Sequence, residues 1–324
     1  MRLMKKRKII KISQLILFTF IVITVFCSKE EKNQKINVKE KEIDISTLRA
    51  KNTFKGKIVF QSDMDGDKEI YLLTARQLKK LTDNSWDDEY PRWSPDGKRI
   101  AYTANPKGNY DVFVMNNDGS NIHQVTSSPK DEIEHAWFPD GKRIAFTEFV
   151  KRGFRRRFTL WMIDLKSKKT EKIIPEFRNS NALPNFSPVG PLMAFTGKRT
   201  IGWDVFIYDL EKKEYRSLTE GGKSCRANFY KDGSITYVSS EADGKGDIWL
   251  MEPDGSGKTR LTERDDTYDY FPSWSADGKY IVFSSSPKNH NLRGNWALYL
   301  VKVKTKIIVP LFDSPGRDLF PDWY

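Results

Sequence analysis

The chain has 324 residues with 55 Lys+Arg against 43 Asp+Glu, a formal net charge of +12, 38% hydrophobic residues and 13% aromatics. That is too polar for a polytopic membrane protein and too aromatic for a disordered one, and 9 Trp, 13 Tyr and 20 Phe imply a sizeable packed core. Two cysteines, Cys27 and Cys225, exclude a disulfide scaffold and a cysteine-based structural zinc site.

Residues 1–26 are expected to be an export signal. Six cations (Arg2, Lys5, Lys6, Arg7, Lys8 and Lys11) and no acid precede an apolar run from Leu15 to Phe26. That run is shorter than the roughly 20 residues of a membrane-spanning helix. Cys27 stands where it ends, an arrangement that resembles a bacterial lipoprotein signal, in which a lipidated Cys becomes the new N-terminus. An uncleaved signal anchor is the alternative; both put the rest of the chain outside the cytoplasmic membrane. Removing residues 1–26 lowers the formal charge from +12 to +6, so the basic excess gives no reason to expect a nucleic-acid partner. Residues 27–55 are rich in Lys and Glu with few large apolar side chains. Such a segment cannot bury enough surface to fold alone, and a solvated tether is expected.

From residue 56 to residue 324 the chain repeats itself. The segment PRWSPDGKRIAYTA from Pro91 recurs as HAWFPDGKRIAFTE from His135, PNFSPVGPLMAFTG from Pro184, ANFYKDGSITYVSS from Ala227 and PSWSADGKYIVFSS from Pro272. The aromatic anchors Trp93, Trp137, Phe186, Phe229, Trp274 and Trp323 lie 44, 49, 43, 45 and 49 residues apart, the period of a propeller blade. Each unit supplies four strands. The anchor strand ends in a tight turn such as Ser94-Pro95-Asp96-Gly97-Lys98, where Pro presets φ and Gly accepts a positive one. A second strand follows (Ile100-Ala101-Tyr102), then a third (Asp111 to Met115, Asp204 to Tyr208, Asp247 to Met251). The fourth ends in Val125-Thr126, Leu218-Thr219 or Leu261-Thr262. Period-2 runs of β-branched and aromatic residues between closely spaced turn signals predict an all-β chain and exclude a helical one.

The first unit opens with its second strand, Ile58-Val59-Phe60, and has no anchor strand of its own; Pro321-Asp322-Trp323-Tyr324 supply one and nothing else. Unpaired sheet edges are a liability that ring closure removes. The prediction is a six-bladed β-propeller of four-stranded blades, closed by the C-terminal strand joining the N-terminal blade. An open solenoid would leave Trp323 without a partner.

The motif Asp-x-x-Pro-x-Trp-Ser-Pro-Asp-Gly-Lys at 88–98, repeated with one change at 269–279 and continued through residues 100–126, resembles the repeat of the TolB family over about residues 56–324. The resemblance implies a propeller in the bacterial cell envelope. TolB itself has an α/β domain before its propeller, for which residues 27–55 leave no room, so a TolB-like propeller lipoprotein is expected, periplasmic or surface-exposed and lipid-anchored through Cys27. Propellers of this repeat also precede the hydrolase domain of prolyl oligopeptidases. That chemistry needs a Gly-x-Ser-x-Gly elbow, and the sequence has none.

Three histidines, His123, His135 and His290, are all the imidazole available. His123 falls on an outer strand, and His135 replaces the Pro of four other repeats, so neither a metal nor another cofactor is expected. The stretch Asp63 to Glu69 spaces oxygens as a calcium loop does, but it is too short for an EF-hand and matches the turn Glu241 to Asp247 of another unit. A polar hairpin is the expectation there, and Cys225 is expected to be a free thiol at the channel end of its blade.

Two functions remain open. One is a non-enzymatic envelope protein, monomeric, that binds a protein or cell-wall component through the face at the channel mouth. The other is a saccharide lyase or hydrolase acting in the channel, which needs paired carboxylates or metal ligands at one mouth. Asp88, Glu132, Asn181, Ser224, Asp269 and Asp318 each stand five residues before an anchor, so the ring should gather the acids Asp88, Glu132, Asp269 and Asp318 around one mouth. On the same face the third unit carries a long hairpin with Lys151, Arg152, Arg155, Arg156 and Arg157, followed by Lys198 and Arg199 on the next unit and Lys288, His290 and Arg293 on the last. An acidic centre with a basic rim would orient a partner and raise its on-rate. Alternatively, each acid caps its own loop and the basic residues are solvated surface.

Overall fold

The structure, a computed structural model, describes residues 54–287 and 295–324, together with the backbone but not the side chain of Arg152. The export signal, Cys27, the tether to residue 53, and Lys288, His290 and Arg293 lie outside the described residues. The alternating apolar runs form 24 strands in six four-stranded sheets. In blades 2 to 6 the inner strands are Asp88–Trp93, Asp131–Trp137, Asn181–Phe186, Ser224–Phe229 and Thr267–Trp274. In each of these the second, third and outer strands follow in chain order, every neighbour antiparallel. Second strands are the most apolar because each is covered on both faces by adjoining blades: Ile58–Ser62 and Ile235–Ser239 are buried at every position. The outer strand Thr170–Lys172 is exposed throughout.

Blade 1 is built from both ends of the ring, as the sequence predicts. Leu319–Trp323 is its inner strand and pairs with Ile58–Ser62, placing Trp323 opposite Ile58 and Asp322 opposite Val59. Lys57 and Tyr324 exchange backbone hydrogen bonds at 2.8 Å in both directions. The Trp323 indole lies 5.4 Å from the Phe54 ring and donates to the Lys55 carbonyl at 2.8 Å. Asp322 ties three blades together: its carboxylate accepts from the Trp93 amide at 2.7 Å in blade 2 and from Ser273 Oγ at 3.1 Å in blade 6.

The core is a ring of junctions. Six hydrophobic clusters each draw on two consecutive blades, from Val59, Ile70, Trp93 and Met115 between blades 1 and 2 round to Phe60, Leu73, Leu298 and Leu311 between blades 1 and 6. A blade cannot bury its faces alone, so stability rests on these shared interfaces.

Every inner strand is interrupted at one position. Three residues before each anchor, Tyr90, Glu134, Leu183, Arg226, Phe271 and Phe320 adopt φ of 57°, 51°, 56°, 58°, 60° and 54°. In blades 2 to 6 the pairing register shifts across the same residues, as a β-bulge requires. Left-handed φ is uncommon for side chains of these types, so the repeat spends strain at six equivalent points.

Candidate functional site

The residues five before the anchors come together at one end of the ring, near the start of the inner strands, but their side chains turn into the blade junctions. Asp88, Asp269 and Asp318 are 0% exposed and Glu132 is 5% exposed, so the acids do not form an open ring at the mouth. They are occupied within the fold. Asp88 accepts from Asn84 Nδ2 at 2.6 Å, Asp269 from Ser285 Oγ at 2.6 Å and Arg264 at 2.7 Å, and Asp318 from the amide and hydroxyl of Ser314 at 2.9 and 2.7 Å. Asn181 and Ser224 do the same work without charge: Asn181 Oδ1 accepts from the Leu160 amide at 2.7 Å, and Ser224 Oγ donates to Ser239 Oγ at 3.1 Å.

Three of these junctions contain a second carboxyl, from the start of the preceding blade's third strand: Glu69 with Asp88, Asp111 with Glu132, and Asp247 with Asp269. Glu69 Oε2, Asp88 Oδ1, Asp111 Oδ1, Glu132 Oε2 and Asp269 Oδ2 are buried with no hydrogen-bond donor. At Asp88 and Asp111 a retained proton supplies one, whereas Asp269 and Asp247 each meet an arginine, Arg264 at 2.7 Å and Arg260 at 2.9 Å. Burial, with the Glu69 carboxyl beside it, pushes the Asp88 carboxyl up to about 8, and burial raises Glu69 as well. Asp111 is pushed up to about 6 by burial and the Glu132 charge, and Asp247 to about 6 by burial against the pull of Arg260. Burial also pushes Asp318 up to about 7.

What lines the axis is the set of bulge residues. Tyr90, Glu134, Leu183, Arg226, Phe271 and Phe320 surround a cavity of only about 30 Å³. The Phe320 ring sits 4.1 Å from Tyr90 and 3.9 Å from Phe271, and the Arg226 guanidinium lies 4.4 Å over Phe271. Across the axis Arg226 reaches Glu134 at 3.9 Å; burial raises the Glu134 carboxyl against the Arg226 charge. His135 faces the same cavity. Its imidazole is held neutral, pushed down to about 3 by burial, with Nδ1 at 3.3 Å from Thr103 Oγ1 and Nε2 unpartnered. The space suits a water or two, whereas small-molecule pockets run to roughly 300–1,000 Å³. Reasoning from the sequence missed this layer. Its signal was the variable residue before the Pro position, which reads Tyr, Glu, Leu, Arg, Phe and Phe across six otherwise regular repeats.

The other sequence-derived features are placed as follows. Asp63 ion-pairs with Arg317 and accepts from its amide at 2.6 Å, and Asp65 meets Lys80 at 2.7 Å. The hairpin between them is therefore built on ion pairs. His123 is exposed on an outer strand. Among the described residues no group of three or more His, Cys, Asp and Glu is placed to hold a metal ion. Cys225 is a free thiol whose burial pushes it up to about 11, away from nucleophilic use.

At the mouth face, blade 3 carries the long hairpin. Its strands Arg143–Arg152 and Arg155–Asp164 have ten residues each and pair out to Arg152 opposite Arg155. Inner-strand pairing ends with Asp131 opposite Phe149, and outer-strand pairing with Lys172 opposite Trp161. Residues 150–157 therefore form a two-stranded ribbon beyond the blade. Arg155, Arg156 and Arg157 are exposed on it, and Lys198 and Arg199 are exposed on the neighbouring blade.

Similarity to known proteins agrees with this architecture. The family model described as "TolB beta propeller domain" matches residues 55–155 and 107–298. A protein named TolB homolog from Chlorobium luteolum is 30% identical over 213 residues, 64% of this chain and 47% of that protein, so the match spans about half the length of that curated relative. A Tol-Pal system protein TolB from Desulfosudis oleivorans is 38% identical over 63 residues, 19% of this chain and 14% of its own. The crystal structure of TolB from Acinetobacter baumannii superposes with a TM-score of 0.70 at 18% identity, covering 83% of this chain and 67% of that one.

Proposed function

We propose, for a chain that belongs to the TolB β-propeller family, a non-enzymatic role in the bacterial cell envelope: binding a protein or cell-wall partner at the channel-mouth face. Residues 1–26 export the chain, Cys27 carries the lipid anchor, the charged stretch after it tethers the chain, and the propeller, whose packing already takes in Phe54 and Lys55, does the binding as a monomer. The observation that carries this reading is the filled axis. With Tyr90, Glu134, Arg226, Phe271 and Phe320 packed about a cavity of about 30 Å³, there is no room for a saccharide, and the carboxyl pairs a lyase or hydrolase would use are enclosed in the junctions. The outer surface is what remains available.

In this reading Arg155, Arg156 and Arg157 steer an acidic partner. Asp88, Glu132, Asp269 and Asp318 contribute by holding the mouth loops in shape rather than by touching the partner. Capture from envelope fractions, followed by association kinetics on the captured partner, tests both halves. Reversing the three arginines to Glu should slow association by about tenfold, with dissociation nearly unchanged, and added salt should reproduce the effect. Asp88→Asn with Asp269→Asn should leave affinity unaltered. Lost affinity in that double variant at an unchanged melting temperature would put the acids in the contact itself.

A further inference from the structure

The two most exposed large hydrophobic side chains among the described residues are Phe154, at 108%, and Ile201, at 80%. Each stands in the turn between the second and third strands of its blade, Phe154 in blade 3 and Ile201 in blade 4. Both turns belong to the mouth face. The bases of the two hairpins are packed together: Phe158 stacks on Phe149 at 4.9 Å and lies edge-on to Trp203 at 5.7 Å, and its amide donates to Ser180 Oγ at 3.2 Å. Both apolar tips are therefore mounted on one rigid base.

The tips are ringed by cations. Arg155, Arg156, Arg157, Lys151 and Lys198 are all exposed, and no acid occurs between Phe149 and Phe158; Arg199 is exposed too but is held by the buried Asp204 at 3.2 Å. Lys151 stands directly opposite Arg156 across the ribbon.

We propose that this pair of hairpins docks on an anionic phospholipid surface, with Phe154 and Ile201 entering the interface and the surrounding cations meeting lipid phosphates. Single apolar side chains at projecting tips suit a deformable lipid interface, whereas a folded protein surface generally offers and receives contiguous patches. An apolar contact combined with cation–headgroup attraction is what holds a peripheral protein at a membrane. The proposal goes beyond the mouth-face reading: docking here would present the mouth to a partner lying along the same membrane, but it does not require that partner.

The test uses the full chain with a photo-crosslinking benzoylphenylalanine replacing Phe154, reconstituted with vesicles of phosphatidylcholine alone or mixed with phosphatidylglycerol. Because residues 1–27 can insert in either vesicle, the readout is the lipid adduct at position 154 rather than recruitment. Adducts are expected only in the anionic vesicles. They should fall more than about tenfold when Arg155, Arg156 and Arg157 are reversed to Glu, and severalfold with Ile201→Asp. The melting curve should not move in either variant, because the ribbon lies beyond the blade core. Equal adducts in both vesicle types would overturn the electrostatic half of the proposal. No lipid adduct in anionic vesicles, with a protein or wall-polymer adduct in envelope fractions, would overturn the whole of it and leave partner binding at the mouth standing.

Discussion

The junctions between blades are of two chemical kinds, those with a pair of buried carboxyls and those without, Asp318 standing alone between blades 6 and 1. Between blades 1 and 2, 2 and 3, and 5 and 6, two buried carboxyls face each other: Glu69 and Asp88, Asp111 and Glu132, Asp247 and Asp269. Between blades 3 and 4 the same position holds Asn181, whose Oδ1 accepts from the Leu160 amide at 2.7 Å and whose Nδ2 donates to the Asn179 carbonyl at 3.0 Å. Between blades 4 and 5 it holds Ser224, beside a single acid, Asp204, which accepts from Thr219 Oγ1 at 2.9 Å and from the Gly222 amide at 3.1 Å. The hydrophobic packing around both kinds is alike. The fold thus requires a hydrogen-bonding group at this position and not a charge. A second carboxyl adds a proton demand whose consequences depend on pH.

The most severe test of the ring acts on both kinds at once. Deleting Pro321 to Tyr324 removes Trp323 from the cluster between blades 1 and 6, and Asp322 from its bonds to Trp93 and Ser273. Loss of a buried Trp alone costs roughly 3–5 kcal/mol, against a stability of roughly 5–15 kcal/mol for a typical domain. Urea melts of the truncated chain should show the propeller largely unfolded at room temperature, or nearly so. A midpoint close to that of the parent would mean the ring does not depend on this strand.

The next test separates the two kinds. A carboxyl raised in the folded state holds a proton that the unfolded chain has already released, so its contribution is intact below about pH 4 and is lost as pH climbs toward the folded value. For Asp88, raised by burial and by Glu69 to about 8, the loss runs from about pH 4 to about pH 8. Asp88→Asn keeps the acceptor for Asn84 Nδ2 and gives Glu69 Oε2 a permanent donor. The variant should match the parent at pH 4 and exceed it by about 2 kcal/mol at pH 8. A gain independent of pH would show that the pair does not hold a proton.

How much of this was legible beforehand differs by layer. The blade count, the four strands per blade and the closure through Trp323 follow from a repeat that is audible in nearly every copy, because turn residues and alternating side chains encode local geometry directly. The position of Asp88 and its equivalents at one end of the ring was legible for the same reason. Their direction was not. A regular inner strand points its side chains at the neighbouring blades and shows the axis only a backbone edge. The left-handed residue at Tyr90, Glu134, Leu183, Arg226, Phe271 and Phe320 is what turns a side chain to the axis. No residue type in that set favours positive φ, so the bulge cannot be read from the residue itself, and its one trace in the sequence is the variability of that position across otherwise regular repeats. The ribbon of blade 3 was visible as an insertion, but its projection beyond both flanking strands rests on where pairing stops, which is a tertiary fact.

The gentlest test runs the comparison in reverse, at the junction that has no acid. Asn181→Asp would place a single buried carboxyl where Thr159 occupies the place that Asp111 holds in blade 2, opposite Glu148 as Asp111 is opposite Ala104. The bond from the Leu160 amide survives the change, since either oxygen can accept it. The donation to the Asn179 carbonyl does not, unless the new carboxyl is protonated. At pH 8 the substitution should therefore cost about 1 kcal/mol, the net worth of one hydrogen bond. At pH 5 a retained proton restores the donor and the cost should shrink toward zero. The pH trend has the same origin as that of Asp88 but appears here as a penalty, so the two variants should diverge from the parent in opposite directions as pH rises. Parallel shifts, or a cost for Asn181→Asp that is the same at both pH values, would mean that charge at the junctions is compensated by something other than a retained proton.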